Sequence, residues 1–183
     1  MKGGNQYIIP FKGLKEGIHS FNFKIGKEFF EENLALEIPD GLLTAEVVLD
    51  KKVGLLVLDV KLKGYVELVC DRCLEYFNYQ LNYKGQLFIK FKEDIEEPDE
   101  NVIFLHPKED LIDLNQYFFD CIGLNIPIQK FHPEDDNGEL TCNKEMLKIL
   151  DNYYFNKKHS NNENIDPRWS KLKDFLNEGN KKQ

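Results

Sequence analysis

The chain has 183 residues, 42% of them hydrophobic and 13% aromatic, enough to bury a core in one domain with an appendage. No apolar run reaches the roughly 20 residues that cross a bilayer, and residues 1–10 lack the apolar stretch of a signal peptide, so the expected compartment is the cytoplasm. The net charge of −8 is uneven: residues 1–92 hold 13 Lys/Arg against 12 Asp/Glu, and residues 93–183 hold 11 against 20. An acidic second half repels phosphate, which argues against RNA binding by the whole surface, leaves room for a local basic face in the first half, and favours basic proteins as partners.

In chain order, residues 7–11 and 18–25 read as short strands, the second alternating Ile18, Ser20, Asn22 and Lys24 against His19, Phe21, Phe23 and Ile25. Residues 26–33 favour a short helix with Phe29 and Phe30 inward, and Pro39-Asp-Gly41 is a turn. Residues 42–50 form a strand, with Leu43, Ala45, Val47 and Leu49 on one face. A long strand over 55–70 follows, with Leu56, Leu58, Val60, Leu62, Val66, Leu68 and Cys70 on one side. Another spans 74–92. Gly64 and Gly85 interrupt these two strands, where glycine often marks a bulge or bend.

Residues 93–100 hold six acids in eight positions and belong in a solvated loop. A strand over 101–106 precedes a helix over 110–123, capped by Asp110 or Asp113, with Leu111, Leu114, Phe118, Cys121 and Ile122 at helical spacing. An irregular connection, 125–141, leads to a helix over 143–154 with Met146, Leu147, Leu150, Tyr153 and Tyr154 as its stripe. Residues 156–165 are a polar linker, and Asp166-Pro167 opens a last helix, 166–183, carrying Trp169 before a fraying tail. The expected fold is α+β: a curved antiparallel meander or barrel-like sheet with a few flanking helices, residues 1–155, and a C-terminal helical extension.

The chemistry-bearing stretch is Cys70-Asp-Arg-Cys73. Alternation places the two cysteines opposite each other across a hairpin end, although Asp71-Arg72 is not a type I′ pair, so a wider knuckle is the alternative to a tight turn. Two thiolates two residues apart can chelate one ion. They can also form a redox pair, which the following strand disfavours because no helix N-terminus is there to lower a thiol pKa. The third reading is two small buried thiols that pack the hairpin end. A zinc site needs two more ligands, and the second half offers His132 and Cys142, with His106 and Cys121 as competitors. P-loop, dinucleotide, zincin and serine-hydrolase signatures are absent. Arg72 at the turn tip is either a partner contact or an ordinary turn residue. Asp166, Arg168 and Trp169 either dock the last helix onto the sheet or anchor a partner.

Four blocks together resemble the YceD family of large ribosomal RNA subunit accumulation proteins. They are Val69-Cys-Asp-Arg-Cys-Leu74, Cys121-Ile-Gly-Leu-Asn-Ile-Pro-Ile128, His132-Pro133 with Cys142, and Asp166-Pro-Arg-Trp-Ser-Lys-Leu172. The resemblance covers roughly residues 40–177. It implies a non-catalytic bacterial ribosome-biogenesis factor, with a ribosomal protein or the pre-ribosomal large subunit as partner. Contact with ribosomal RNA would come through the N-terminal half; no membrane or small-molecule substrate is expected. Many members carry a second CxxC in the C-terminal half. This chain keeps His132 and Cys142 there, so a zinc site would be Cys3His. The alternative from another class is a metal- or thiol-dependent enzyme using Cys70 and Cys73.

Overall fold

The computed structural model describes residues 6–92, 102–135, 138 and 141–159. Strand β1 (Ile8–Ile9) opens the chain, followed by β2 (Gly17–Ile25), helix α1 (Lys27–Glu32) and a single 3-10 turn at Leu34–Leu36. Strands β3 (Gly41–Lys52), β4 (Leu55–Val69) and β5 (Tyr76–Phe91) form the body of the sheet. Then come β6 (Val102–Leu105), β7 (Ile112–Asp113), α2 (Asn115–Asn125) and α3 (Lys144–His159).

β2 to β5 pair antiparallel in sequence order, and their registers run without interruption from Gly17 opposite Lys51 to Val69 opposite Tyr76. The meander expected from the alternating pattern is present. The barrel-like alternative is not. β6 adds to β5 in parallel, Phe88 opposite Val102, so the five-stranded sheet is mixed and open, with β2 and β6 as its two edges. The acidic residues 93–100 lie outside the described residues.

One face of the sheet is dry. Leu43, Ala45, Val47 and Leu49 of β3 and Leu56, Leu58, Val60, Leu62, Val66 and Leu68 of β4 are almost wholly buried, because strand side chains alternate and every second one faces the core. α1 contributes Phe29 and Phe30 to this core, and α2 contributes Phe118, Cys121 and Ile122. Tyr7 joins the layers edge-on, its ring 5.6 Å from both Phe29 and Phe118 and 6.1 Å from Phe23, the arrangement in which aromatic quadrupoles attract. No described helix is long and apolar enough to cross a membrane.

Three local expectations change. Pairing passes through Gly64 and Gly85 without a bulge: Gly64 faces Leu43 on one side and Leu81 on the other. Gly64 is instead a place where backbones meet closely. The expected helix over 110–123 starts at Asn115, because Ile112–Asp113 is pulled into antiparallel pairing with Ile8–Ile9 and Asp113 Oδ1 accepts the Asn115 N–H at 2.8 Å. Leu111 is therefore exposed rather than part of the helical stripe. Finally, α3 continues to His159, so the first four residues of the expected polar linker are helical, and Tyr153 of the expected stripe is exposed.

Candidate metal centre

The β4–β5 connection is the wider knuckle. Cys70 N–H donates to the Glu75 carbonyl at 2.9 Å and Leu74 N–H donates to the Cys70 carbonyl at 2.9 Å. Six residues, 70–75, thus separate the paired ends Val69 and Tyr76. The pair Asp71-Arg72 cannot adopt the two positive φ angles of a tight hairpin turn cheaply. Leu74 takes a positive φ of 60°, a conformation that costs an L-residue on the order of 1 kcal/mol. Both thiols turn inward as a result. Cys70 is fully buried and Cys73 nearly so.

The connection after α2 reaches this knuckle and is stitched to it. Asp71 N–H donates to the Lys130 carbonyl, and Lys130 N–H donates to Asp71 Oδ2, both at 2.7 Å. The Arg72 guanidinium lies over the Phe131 ring, 4.0 Å from its centroid, so this half-buried side chain clasps the connection in addition to whatever it offers to solvent. Asn143 Nδ2 donates to Glu75 Oε1 at 2.6 Å, while Asn143 Oδ1 accepts from the Glu145 N–H at the start of α3. These contacts bring His132 and Cys142 to the two cysteines. Replacing Asp71 with Ala removes a charge-assisted bond that is solvent-exposed, and chemical denaturation is expected to register a loss of about 1 kcal/mol.

The ligand atoms of Cys70, Cys73, His132 and Cys142 all lie within 4.8 Å of one another. Cys70 Sγ is 3.8 Å from Cys142 Sγ, Cys73 Sγ is 3.4 Å from His132 Nδ1, and Cys142 Sγ is 3.7 Å from His132 Nδ1. A tetrahedron with metal–sulfur bonds of ~2.3 Å and metal–nitrogen bonds of ~2.0 Å has S···S edges of ~3.8 Å and S···N edges of ~3.5 Å. The three edges above lie within about 0.2 Å of those values, and the remaining three are under 4.8 Å. The four are close enough to hold a metal ion. Phe77 packs on the His132 ring at 5.0 Å, and Phe131, Met146 and Leu147 complete a small apolar shell that meets the main core through Phe77.

Burial of Cys70 raises its thiol pKa, but N–H groups of Cys73 and Arg72, together with the His132 side chain, stabilise the thiolate more, and the net pKa falls to about 6. Cys142 is pushed up, by burial first and then by the neighbouring Cys70 and Cys73 sulfurs, to about 11. One thiolate formed at neutral pH beside a thiol whose proton is held by that negative charge is the state a cation resolves, since a metal replaces the proton and removes the repulsion.

The competing ligands go elsewhere. His106 Nδ1 accepts the Lys108 N–H at 3.2 Å. Cys121 sits on α2 at a cleft of ≈ 480 Å³ beside Tyr83 and Tyr117, whose hydroxyls are 3.0 Å apart. Burial raises the pKa of Cys121 and of both tyrosines, which favours their protonated forms. Asp166, Arg168 and Trp169 lie outside the described residues. Sequence reasoning missed Asp71 and Asn143, which dock the connection; an acid within Cys-x-x-Cys and an Asn beside Cys142 were the available signals.

The family model described as large ribosomal RNA subunit accumulation protein YceD matches residues 58–176, a stretch that contains all four of these residues. Comparison with curated proteins and with solved structures finds no match.

Proposed function

The chain belongs to the YceD family, and from that premise we propose that it is a non-catalytic, cytoplasmic factor in bacterial ribosome assembly. It supports accumulation or processing of large-subunit ribosomal RNA by binding a ribosomal protein or the pre-ribosomal large subunit. The observation that carries this reading is the family match over 58–176, whose name gives accumulation of the large ribosomal RNA subunit. The acidic balance of residues 93–183 supports a basic protein partner for the second half. Arg72 and the Asp166-Pro-Arg168-Trp169 segment are the partner contacts in this reading.

We assign zinc to the Cys70, Cys73, His132 and Cys142 set. Three thiolates with one imidazole are the donors zinc prefers, and four protein ligands leave no open position, which is the pattern of a structural ion. The ion would hold the β4–β5 knuckle to the connection before α3. Burial of Cys70 also weighs against a thiol-dependent enzyme: its thiolate is stabilised but sealed from solvent, whereas reactive cysteines are partly exposed.

Sedimentation of a cell extract on a sucrose gradient tests the reading. The protein is expected in the large-subunit precursor fractions, and a deletion strain is expected to lose large-subunit ribosomal RNA. A protein confined to the free pool, in a strain whose ribosomal RNA is normal without it, would overturn it.

A further inference from the structure

The sheet has a second face that no described element covers. Its centre is basic. Lys61 of β4 stands directly opposite Lys84 of β5, Lys63 follows two residues along β4, and Lys24 of β2 lies in the same cross-strand row as Thr44 and Lys63. All four lysines are exposed. Neighbouring strands are ~4.8 Å apart and alternate residues ~6.7 Å, so the four stems fall within a patch of about 14 by 7 Å. None of the four makes an ion pair among the described residues. Glu46 and Asp59 are the acids of the patch, and Asp59 is engaged by Gln86 Nε2 at 2.9 Å. Between Lys61 and Lys84 the surface dips into a shallow hollow that Val48, Asp59 and Gln86 also line.

Like charges directly opposite on adjacent strands destabilise a sheet. Lys61 stands between Glu46 of β3 and Lys84 of β5, so Glu46 favours one side of it, and an anion bound between Lys61 and Lys84 would relieve the like-charge contact on the other. A macromolecule presenting phosphates in series matches a row of lysines better than any single ion. The rest of the face suits the bases: Asn82 lies opposite Lys63, Gln80 opposite Tyr65, and Tyr65 is 37% exposed beside Lys63. Open sheet faces with basic, amide and aromatic side chains bind unpaired RNA by neutralising phosphate and stacking bases.

We propose that the uncovered face of the β2–β5 sheet, centred on Lys61 and Lys84, binds single-stranded RNA. This deepens the family reading, on which it rests, by naming the surface that meets ribosomal RNA. It also reconciles RNA contact with a net charge of −8: binding is local, and salt weakens it steeply.

The test is fluorescence anisotropy of a labelled 12-nucleotide oligouridine with the purified full chain between 50 and 200 mM salt. Four phosphate contacts predict a log–log salt slope of about −3, a loss of roughly 50-fold across that range. Lys84→Glu is expected to weaken binding at least tenfold and flatten the slope, while its melting temperature stays level or rises because the new carboxylate would stand opposite Lys61. Tyr65→Ala is expected to cost roughly tenfold through lost stacking. Absence of RNA binding at 50 mM salt, Lys84→Glu binding as wild type, or polyglutamate binding as tightly as RNA overturns the proposal. Any of these in a strain that still needs the protein for large-subunit RNA leaves the family reading intact; normal RNA in the deletion strain defeats that reading separately.

Discussion

Stripping the proposed zinc with a chelator, or replacing Cys142 with Ser, is expected to release residues 126–159 while β2 to β5 stay folded. The reason is the small size of the second core. Besides the cysteines it has Phe131, Met146, Leu147 and Phe77, all only partly buried. A fully buried apolar side chain contributes about 1.5–3 kcal/mol, so the three from this segment give a few kcal/mol at most. Ordering each backbone residue costs on the order of 1 kcal/mol, which the connection cannot offset with side chains alone. A structural zinc ion contributes on the order of 10 kcal/mol. The main core has its own residues, none of which is a candidate ligand. Limited proteolysis reads the outcome: cleavage within 126–143 should accelerate at least tenfold, with strand signals in circular dichroism preserved. Cleavage at the wild-type rate would mean that the connection is held without metal.

Gly64→Ala is expected to be the most destabilising single substitution in the sheet. Gly64 has φ of 149°, which L-residues rarely adopt. A Cβ there would overlap the Leu42 carbonyl oxygen and lie 2.9 Å from Leu43 Cα. Those are backbone atoms in the middle of the β3–β4 ladder, so no rotamer change relieves the clash. The loss should reach about 4 kcal/mol or more, the range reserved for strain and overpacking in a core. Gly85→Ala is the control. There the added Cβ meets the Tyr83 hydroxyl, which can swing away at the expense of its bond to Tyr117. Urea denaturation of the two variants should therefore separate them clearly; equal, small losses would contradict the close-approach account.

The alternation of Leu, Val and Lys along β3 and β4 is enough to predict which residues are buried, because period two has only one extended interpretation. Alternation does not specify direction. β6 carries four apolar residues, Val102–Leu105, that fit a parallel or an antiparallel neighbour equally well, which is why the pattern suits a closing meander as readily as the open sheet. Nor can periodicity detect β7. Leu111 and Leu114 sit at helical spacing, and only the pairing of Ile112 with Ile9, more than 100 residues away, overrules the local preference.

The site is legible in part. The hairpin pattern brings Cys70 and Cys73 together, while the second half offers His132 and Cys142 with His106 and Cys121 as competitors, and only the folded chain chooses between them. What spacing does not reveal is the docking that joins the halves: the two Asp71–Lys130 hydrogen bonds, one through the Asp71 carboxylate, Arg72 over Phe131, and Asn143 on Glu75. Each links residues about 60 positions apart through ordinary polar types. The basic face is legible only as a property of the first half. Its focus on Lys61 and Lys84 follows from register, which fixes side chains opposite one another and is invisible until the strands are paired.

X-ray absorption at the zinc edge of the purified full chain tests the central claim, that one ion joins the two halves through these four residues. One zinc per chain is expected, with three sulfurs at ~2.3 Å and one nitrogen at ~2.0 Å, and loss of the zinc in Cys70→Ser and His132→Ala. Zinc bound through oxygen ligands, or retained in full by both variants, would contradict it.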